Sequence, residues 1–262
     1  MPKSFLDQIR PEVLHNVALL KQEMALAEWE ERALKRTVKA DFLSSIARCD
    51  SLNIIAEIKK ASPSRGILRE NLDPLALARI YERHGAAAIS VLTEEKYFLG
   101  SIRSLAQIAM TSSLPVLRKD FILDEVQIAQ ARSNGAAAVL LIVAFLAQDD
   151  LEHLILACHK YSLAPLVEVH NERELVRANS ASATLIGVNN RDLKTLKVDL
   201  KVSEQLIQYK RPGHVFVAES GLNSNEQLKR LRTAGYDAFL IGEHFMKSAD
   251  PGAEMDRLRG NP

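Results

Sequence analysis

Six short apolar runs of this chain each end in a charged or amide residue at nearly the same point of the run. The runs cover residues 53–59, 115–119, 165–168, 185–191, 215–219 and 239–243. Burial of a charge is costly unless the charge is paired, so a buried strand that ends on a charged residue usually ends at a site. The repetition from strand to strand predicts a ring of polar groups around one pocket, which is the layout of a barrel enzyme.

From about residue 53 onward, short β-branched runs alternate with amphipathic segments. Strands are predicted near 53–59, 87–92, 115–119, 137–143, 164–169, 184–189, 214–218 and 237–241, and helices near 73–84, 101–111, 124–134, 148–160, 171–180, 199–209, 223–234 and 250–259. Each crossover helix returns the chain to the starting edge, so the strands are expected to pair in parallel. Eight units favour the α/β class and a closed (β/α)8 TIM barrel, with an open doubly wound sheet as the alternative.

The first 48 residues have a different, charge-rich helical pattern. Apolar positions from Leu14 to Trp29 predict a long helix, and those from Phe42 to Ala47 predict a second one. We therefore expect one domain over residues 1–262, with a helical N-terminal extension (1–48) before the barrel (49–262). The extension is expected either to cap one mouth of the barrel, or to pack on the outer helices or act as a dimerisation arm.

Composition and charge narrow the range of partners. The net charge of +1 gives no reason to expect nucleic acid or an anionic membrane, and no apolar stretch approaches the length of a membrane helix. Cys49 and Cys158 are too few and too far apart for a disulfide framework, and the seven histidines form no metal-ligand pattern. We expect a reduced, cytoplasmic protein without a metal site.

Four charged residues at predicted strand ends suggest acid–base chemistry. Glu57 and Lys59 are two residues apart and should point to the same face of the first strand. Apolar neighbours are expected to lower the pKa of Lys119, and burial is expected to raise that of Glu168, which would suit both to proton transfer. The alternatives are a surface salt bridge between Glu57 and Lys59, and simple pairing of Lys119 with Glu168.

Glycine-containing loops after the last two strands predict a phosphate site. The sequences Glu219-Ser220-Gly221 and Gly242-Glu243 follow strands seven and eight, where barrels often bind phosphate through backbone N–H groups. The loop Ser62-Pro63-Ser64-Arg65-Gly66 is also suited to contact an anion, and an arginine in Asn189-Asn190-Arg191-Asp192 offers a planar fork for a carboxylate or phosphate. Tight turns alone would explain the same glycines.

Eight blocks of sequence between residues 53 and 248 closely resemble the indole-3-glycerol phosphate synthase family. They are IIAEIKKASPSRG, SVLTEEKYFLGS, LRKDFILDEVQI, LLIV, LVEVH, IGVNNRDLKT, VAESG and LIGEHFMK, in this order. The resemblance implies a carboxy-lyase with a closed barrel that acts in tryptophan biosynthesis. The substrate would be 1-(2-carboxyphenylamino)-1-deoxyribulose 5-phosphate, a small phosphorylated molecule, and the products indole-3-glycerol phosphate, carbon dioxide and water. No metal or organic cofactor is implied, and the protein is expected to be a monomer or homodimer.

The resemblance also implies roles for individual residues. Lys119 would be the general acid of ring closure, and Glu168, Lys59 and Glu57 are candidates for the later proton transfers. Asn189 and Glu219 would orient the sugar hydroxyls and the lysines. Arg191 and Ser62 would bind the substrate carboxylate; Lys59, Ser220, Gly221, Gly242 and Glu243 the phosphate; and Phe98, Phe121, Leu140, Leu193 and Leu240 the aromatic ring.

Two residues depart from the family pattern, and two other functions compete with this one. Leu99 stands where a small or polar residue is common, and Glu243 where serine is common. Phosphoribosylanthranilate isomerase, another phosphate-binding barrel, is expected to use a Cys–Asp pair, but no cysteine lies at a strand end here. A binding or scaffold protein that has lost turnover is the alternative from another class.

Overall fold

Eight parallel strands close into a barrel at the centre of this computed structural model, which describes residues 4–63 and 65–260. The strands are β1 (Asn53–Ile58), β2 (Ala88–Leu92), β3 (Val116–Lys119), β4 (Ala138–Ile142), β5 (Ala164–Val169), β6 (Leu185–Asn189), β7 (Val215–Glu219) and β8 (Ala238–Ile241). Each strand pairs with its neighbours in sequence, and β1 also pairs with β8. The predicted closed barrel is confirmed. Ser64 of the predicted anion loop and residues 1–3 and 261–262 of the predicted domain lie outside the described residues.

Helices connect the strands and surround them. They are α1 (Phe5–Glu23), α2 (Leu26–Lys35), α3 (Phe42–Ile46), α4 (Pro74–Arg83), α5 (Ile102–Thr111), α6 (Glu125–Ser133), α7 (Gln148–Lys160), α8 (Glu172–Ser180), α9 (Lys201–Leu206), α10 (Asn225–Ala234), α11 (Glu243–Lys247) and α12 (Pro251–Arg259). Short 3-10 turns cover Val143–Phe145 and Ile207–Tyr209, and Ala61–Ser62 pairs with Gly66–Ile67 in a small antiparallel ribbon.

Side-chain caps explain where the helices begin. The carboxylate of Asp73 accepts hydrogen bonds from the backbone N–H groups of Leu75 and Ala76, and Ser101 accepts one from Arg103. Such caps satisfy backbone donors that have no partner within the helix. Capping residues of this kind are visible in the sequence. The predicted barrel elements begin and end within two residues of the observed ones, except that the helix predicted over 199–209 ends at Leu206 and continues as the 3-10 turn to Tyr209.

The N-terminal extension contains two helices where one long helix was predicted. The backbone is extended at Met24 and Ala25, which separates α1 from α2. The buried stripe of α1 is Leu6, Ile9, Val13 and Val17, whereas Leu14, assigned to the apolar face from the sequence, is 53% exposed.

The extension packs against the outside of the barrel. From α1, Lys21 forms an ion pair with Asp124, and Arg10 donates a hydrogen bond to the carbonyl of Phe145. At the amino end of the strands, the Asn53 amide donates to the carbonyls of Ile46, Arg48 and Asp237. The first residue of α1, Phe5, lies near the carboxyl ends of the strands, where its ring contacts Phe98 and Phe121. In the described part of the chain, no helix is long and apolar enough to cross a membrane.

Candidate active site

A cavity of about 700 Å³ lies at the carboxyl ends of the barrel strands. Every residue that the resemblance assigned to catalysis or substrate binding lines it. From the predicted catalytic set these are Glu57, Lys59, Lys119, Glu168, Asn189 and Glu219; from the predicted binding set they are Ser62, Phe98, Phe121, Leu140, Arg191, Leu193, Ser220, Gly221, Leu240, Gly242 and Glu243. The strand ends of the barrel therefore converge on one space.

Lys119 is surrounded by three buried carboxyl groups at the floor of the cavity. Its Nζ lies 2.5 Å from Glu219, 3.8 Å from Glu168 and 3.9 Å from Glu57. Each of these groups ends a different strand, which is why residues far apart in sequence meet here. Pairing of Lys119 with Glu168 alone is therefore an incomplete description, because the nearest partner is Glu219.

The predicted pKa change of Lys119 is wrong in sign. Burial by itself lowers the pKa of the ammonium, but the negative charges of Glu219, Glu168 and Glu57 raise it well above its ordinary value. Lys119 therefore keeps its proton throughout the physiological pH range. It is available as a donor because it is charged, not because its proton is loosely held.

The predicted pKa change of Glu168 is also wrong in sign. Burial raises the pKa of this carboxyl group, but the neighbouring imidazole of His170 and the charge of Lys119 lower it to about 2. The pKa of Glu219 moves the other way, to about 7, because burial and the charges of Glu168 and Glu57 outweigh Lys119. One oxygen of Glu219 is buried and, among the described residues, has no hydrogen-bond partner. Near neutral pH, Glu168 is thus a carboxylate, while Glu219 can hold a proton.

Glu57 and Lys59 form an ion pair inside the cavity. Their charged atoms are 2.5 Å apart, and the side chains are 5% and 16% exposed, which excludes a surface salt bridge. Burial raises the pKa of Glu57, but the charges of Lys59 and Lys119 lower it below its ordinary value. The two residues share a face of β1, as their spacing predicted.

Two glycines make room for the carboxylates of the floor. A Cβ at Gly187 of β6 would lie 2.2 Å from an oxygen of Glu219, and a Cβ at Gly242 would lie 2.3 Å from an oxygen of Glu57. The sequence predicted that Gly242 lets backbone approach a phosphate. The structure shows a second reason for glycine at position 242, because a side chain there would displace Glu57.

The loops after β6 and β7 are tied together. The buried Asn190 amide donates to the carbonyls of Glu219 and Ser220, and its oxygen accepts from the N–H and hydroxyl groups of Ser203. Ser220 and Gly221 both have positive φ, at 66° and 82°. This backbone turns the chain sharply beside the cavity and places both residues on its wall.

Glu243 lies within a group of cations at the rim of the cavity. Its carboxylate is 2.5 Å from Lys247, 3.3 Å from Arg191 and 3.5 Å from Arg65. Burial raises the pKa of Glu243, but Lys247, Arg191 and Lys59 lower it, so the group is ionised. An incoming anion at this position would meet the same cations and the like charge of Glu243. The buried hydroxyl of Ser62 also faces the cavity and has no protein partner in the described residues.

Aromatic side chains form an apolar wall of the cavity. The Phe98 and Phe121 rings are 6.1 Å apart between centroids, and Phe5 of α1 lies 6.3 and 5.9 Å from them. A flat apolar ligand could lie along this wall. Phe5 is the residue of the extension that sequence reasoning missed, because nothing local to an N-terminal helix indicates which strand ends it will approach.

A tight loop after β2 fixes Phe98. The Glu94 carboxylate accepts hydrogen bonds from the backbone N–H groups of Lys96, Tyr97 and Phe98. Leu99 then adopts a positive φ of 51°, and a Cβ at Gly100 would meet the Leu92 carbonyl at 2.3 Å. Leucine is rarely found in this conformation, so the departure expected at position 99 falls on a strained backbone position.

His170 was also missed, although it stands two residues after Glu168. Its ring lies between Glu168 and Glu174, and its side chain is 10% exposed. The same alternation that placed Glu57 and Lys59 on one face would have placed Glu168 and His170 together. Over residues 4–63 and 65–260, no group of three or more His, Cys, Asp or Glu side chains is arranged to hold a metal ion.

Comparison with known proteins connects this geometry with a family. Residues 6–258 match the family model for indole-3-glycerol phosphate synthase. The chain is 44% identical over 258 residues to the indole-3-glycerol phosphate synthase of Koribacter versatilis, covering 98% of this chain and 99% of the relative. It is 50% identical over 208 residues to the same enzyme of Carboxydothermus hydrogenoformans, covering 79% of each. A crystal structure of 3-hexulose-6-phosphate synthase superposes with a TM-score of 0.65 at 15% identity, covering 80% of this chain and 99% of that one, which reflects the shared fold.

Proposed function

The chain belongs to the indole-3-glycerol phosphate synthase family. We propose which cavity residues bind the substrate and which transfer protons in the reaction. The enzyme closes the indole ring of 1-(2-carboxyphenylamino)-1-deoxyribulose 5-phosphate, with loss of carbon dioxide and water, in tryptophan biosynthesis. The observation that carries the proposal is the ammonium group of Lys119 held among three buried carboxyl groups beside an apolar wall.

Lys119 is the general acid of ring closure. The substrate ketone gains negative charge on its oxygen as the aromatic carbon attacks, and a positioned ammonium can both stabilise and protonate that oxygen. The raised pKa of Lys119 keeps the proton in place until charge develops on the substrate. The substrate's carboxyl carbon then leaves as carbon dioxide, which returns electrons to the ring.

Glu219 returns the proton to Lys119. Each turnover consumes one proton, because the substrate carboxylate departs as neutral carbon dioxide. Glu219 is the nearest partner of Lys119, at 2.5 Å, and its pKa of about 7 lets it bind and release protons at neutral pH. Asn189, which ends the neighbouring strand, lines the same floor and would orient the sugar hydroxyls.

Glu168 is the base of the dehydration step. Loss of the hydroxyl group as water requires that a ring proton leave at the same stage, and Glu168 is ionised and able to accept it. Lys59, held by Glu57 at 2.5 Å, is the second ammonium of the floor and is placed to protonate the departing hydroxyl. The proton that Glu168 takes from the ring replaces the one that Lys59 gives to the hydroxyl group, so both groups return to their starting charges and the net consumption stays at one proton.

The remaining cavity residues bind the two anionic ends and the ring of the substrate. Ser220, Gly221 and Gly242, together with the backbone of Glu243, surround the phosphate, while Arg191 and Ser62 contact the carboxylate. The aromatic ring lies against a wall formed by Phe98, Phe121, Leu140, Leu193 and Leu240. We also propose a cytoplasmic monomer or homodimer that binds neither nucleic acid nor membrane.

Turnover of the substrate tests this proposal. Incubation of purified protein with the substrate should produce the fluorescence of the indole product; no fluorescence with a folded protein would support a binding protein instead. The variant Ser220→Ala should mainly raise KM, because a phosphate contact acts on the ground state and transition state alike. A lower kcat at unchanged KM would contradict the phosphate role. Ser180→Ala on the exposed surface of α8 is the matched control.

A further inference from the structure

His170 lies directly behind the floor of the cavity and has no part in the steps derived above. It follows the last residue of β5, on the same face as Glu168, and is not among the residues that line the cavity. A buried titratable side chain beside a catalytic carboxylate, with no contact to the cavity, can act only through its neighbours.

Each ring nitrogen of His170 faces a carboxylate oxygen. Nδ1 lies 2.9 Å from Oε2 of Glu174, and Nε2 lies 3.3 Å from Oε1 of Glu168 as an ion pair without the alignment of a full hydrogen bond. A neutral imidazole carries a proton on only one nitrogen, so two carboxylate neighbours favour the imidazolium form. Burial lowers the pKa of His170, but Glu168 and Glu174 raise it to about 10, in agreement with this geometry.

The imidazole is itself fixed from the side of α8. The Glu174 carboxylate accepts a hydrogen bond from the backbone N–H of His170 at 2.8 Å and another from the Asn171 amide at 2.6 Å. Asn171 is the N-cap of α8 and accepts in turn from the N–H of Glu174. The first turn of α8 therefore holds Glu174, and Glu174 holds the ring.

The two oxygens of Glu168 are divided between two cations. Oε1 faces His170, whereas Oε2 faces Lys119 across the cavity floor at 3.8 Å. The Asn189 side chain, from β6, also stabilises the carboxylate, and the like charges of Glu57 and Glu219 oppose it. Lys119 interacts with three carboxyl groups of the cavity. His170, by contrast, interacts with only one of them, Glu168.

We propose that His170, held by Glu174, is a positioning residue that keeps Glu168 ionised and fixes the orientation of its carboxylate. The inference rests on the proposed role of Glu168 as the base of dehydration. His170 exchanges no proton with the substrate. Its positive charge favours the ionised form of Glu168, so Glu168 accepts the ring proton, while Glu219, which has no such neighbour, can hold a proton.

The pH dependence of kcat in His170→Gln tests this assignment. Loss of the imidazolium raises the pKa of Glu168, and because the carboxylate is the active form, the acid limb of the kcat profile should move to higher pH. We expect a movement of at least about one pH unit, with about a tenfold loss of kcat for each unit below the new pKa. KM should change little. Glu174→Gln, which keeps the ring but removes its anchor, should move the limb in the same direction by less.

Four variants together decide whether His170 acts through Glu168. An acid limb at its wild-type position in folded His170→Gln, or an equal loss of kcat at all pH values, would overturn the inference. If His170→Gln does not fold, the limb in Glu174→Gln decides in the same way. His84→Gln, which removes a histidine paired with Asp256 at 2.7 Å on the outer helices, should leave the profile unchanged. A wild-type profile in Glu168→Gln would instead refute the proposed base, which separates the two failures.

Discussion

The three carboxyl groups around Lys119 do not share its charge equally. Glu219 is closest, at 2.5 Å, yet its pKa is raised to about 7, whereas that of Glu168, at 3.8 Å, is lowered to about 2. The difference arises because Glu168 has a second cation in His170, while one oxygen of Glu219 is buried with no hydrogen-bond partner among the described residues. Proximity to one lysine is therefore less important than the full set of partners.

The sequence predicted which residues meet in this cluster but not their protonation states. Lys119 and Glu168 could be assigned to one pocket because each follows a buried strand. Their pKa values depend on Glu219 from β7 and His170 beyond β5, and the distances among these groups are set by the barrel as a whole. Local sequence suggests burial, and burial alone gives the wrong sign for both residues.

At the rim, Glu243 supports a prediction about anion binding. Its carboxylate occupies a group of cations formed by Arg65, Arg191 and Lys247, so an incoming phosphate meets a like charge. Glu243→Gln should tighten the binding of inorganic phosphate about tenfold, the order expected for one like-charge contact at a partly exposed site. Titration calorimetry with inorganic phosphate measures the change.

A matched control distinguishes this effect from a general change in charge. Glu31→Gln removes a carboxylate paired with Lys35 on α2, outside the rim cluster and the cavity, and should leave phosphate affinity unchanged. Weaker phosphate binding in Glu243→Gln would mean that Glu243 instead orients Arg191 for the ligand, which contradicts the expected direction.

Strand β6 contains a glycine, Gly187, whose missing side chain leaves room for the carboxylate of Glu219. A Cβ at Gly187 would lie 2.2 Å from a Glu219 oxygen, the flexible end of a side chain, so Gly187→Ala should displace Glu219 while the strand still folds. We expect turnover to fall by about 10- to 100-fold, because displacement of a catalytic group by about 1 Å has effects of this size. Steady-state kinetics, with the melting temperature as a check on folding, measures it.

The same substitution in a protein that already carries Glu219→Ala shows whether the loss of turnover comes from displacement of Glu219. In Glu219→Ala the clashing oxygen is absent, so the addition of Gly187→Ala should lower turnover little further. Equal losses from Gly187→Ala in the two backgrounds would show that the glycine affects activity through another neighbour, such as Leu166.

Helix α1 supports a prediction about the mouth of the cavity. Ser4 caps this helix and exchanges hydrogen bonds with Asp7, which fixes Phe5 at its first position beside Phe98 and Phe121. Phe5→Ala should raise KM about three- to tenfold, the range of one lost aromatic contact. Leu14→Ala, on the exposed face of the same helix, is the control. An unchanged KM in Phe5→Ala would leave α1 as a packing element without influence on the ligand.

The break between α1 and α2 could not be predicted from the sequence, unlike the ends of the barrel helices. The barrel helices alternate with strands, and capping residues such as Asp73 and Ser101 mark their starts. The extension has no such alternation, and the break at Met24 and Ala25 contains neither glycine nor proline. Val17 on one side of the break and Trp29 on the other are both buried, and the local pattern does not indicate where the chain must bend between them.

At the scale of the whole molecule, closure of the barrel turns six separate strand ends into one site. The number of strand–helix units predicted the eight-stranded barrel, and parallel pairing placed all carboxyl ends at one mouth. The cavity floor was foreseen because polar residues at strand ends are unusual in a buried run. For the extension the sequence left two alternatives, a cap over one mouth or packing on the outer helices, and it did not single out Phe5, whose place on the wall depends on how α1 crosses the barrel.

Turnover of Lys119→Ala at saturating substrate tests whether the ammonium group of Lys119 is the proton donor of ring closure. Lys210→Ala is the matched control, since it removes a lysine paired with Asp237 at 2.7 Å at the opposite end of the barrel. If the ammonium held by the converging carboxyl groups is the proton donor, kcat should fall at least ~100-fold in Lys119→Ala and stay at the wild-type value in Lys210→Ala. Wild-type kcat in a folded Lys119→Ala variant would contradict the account.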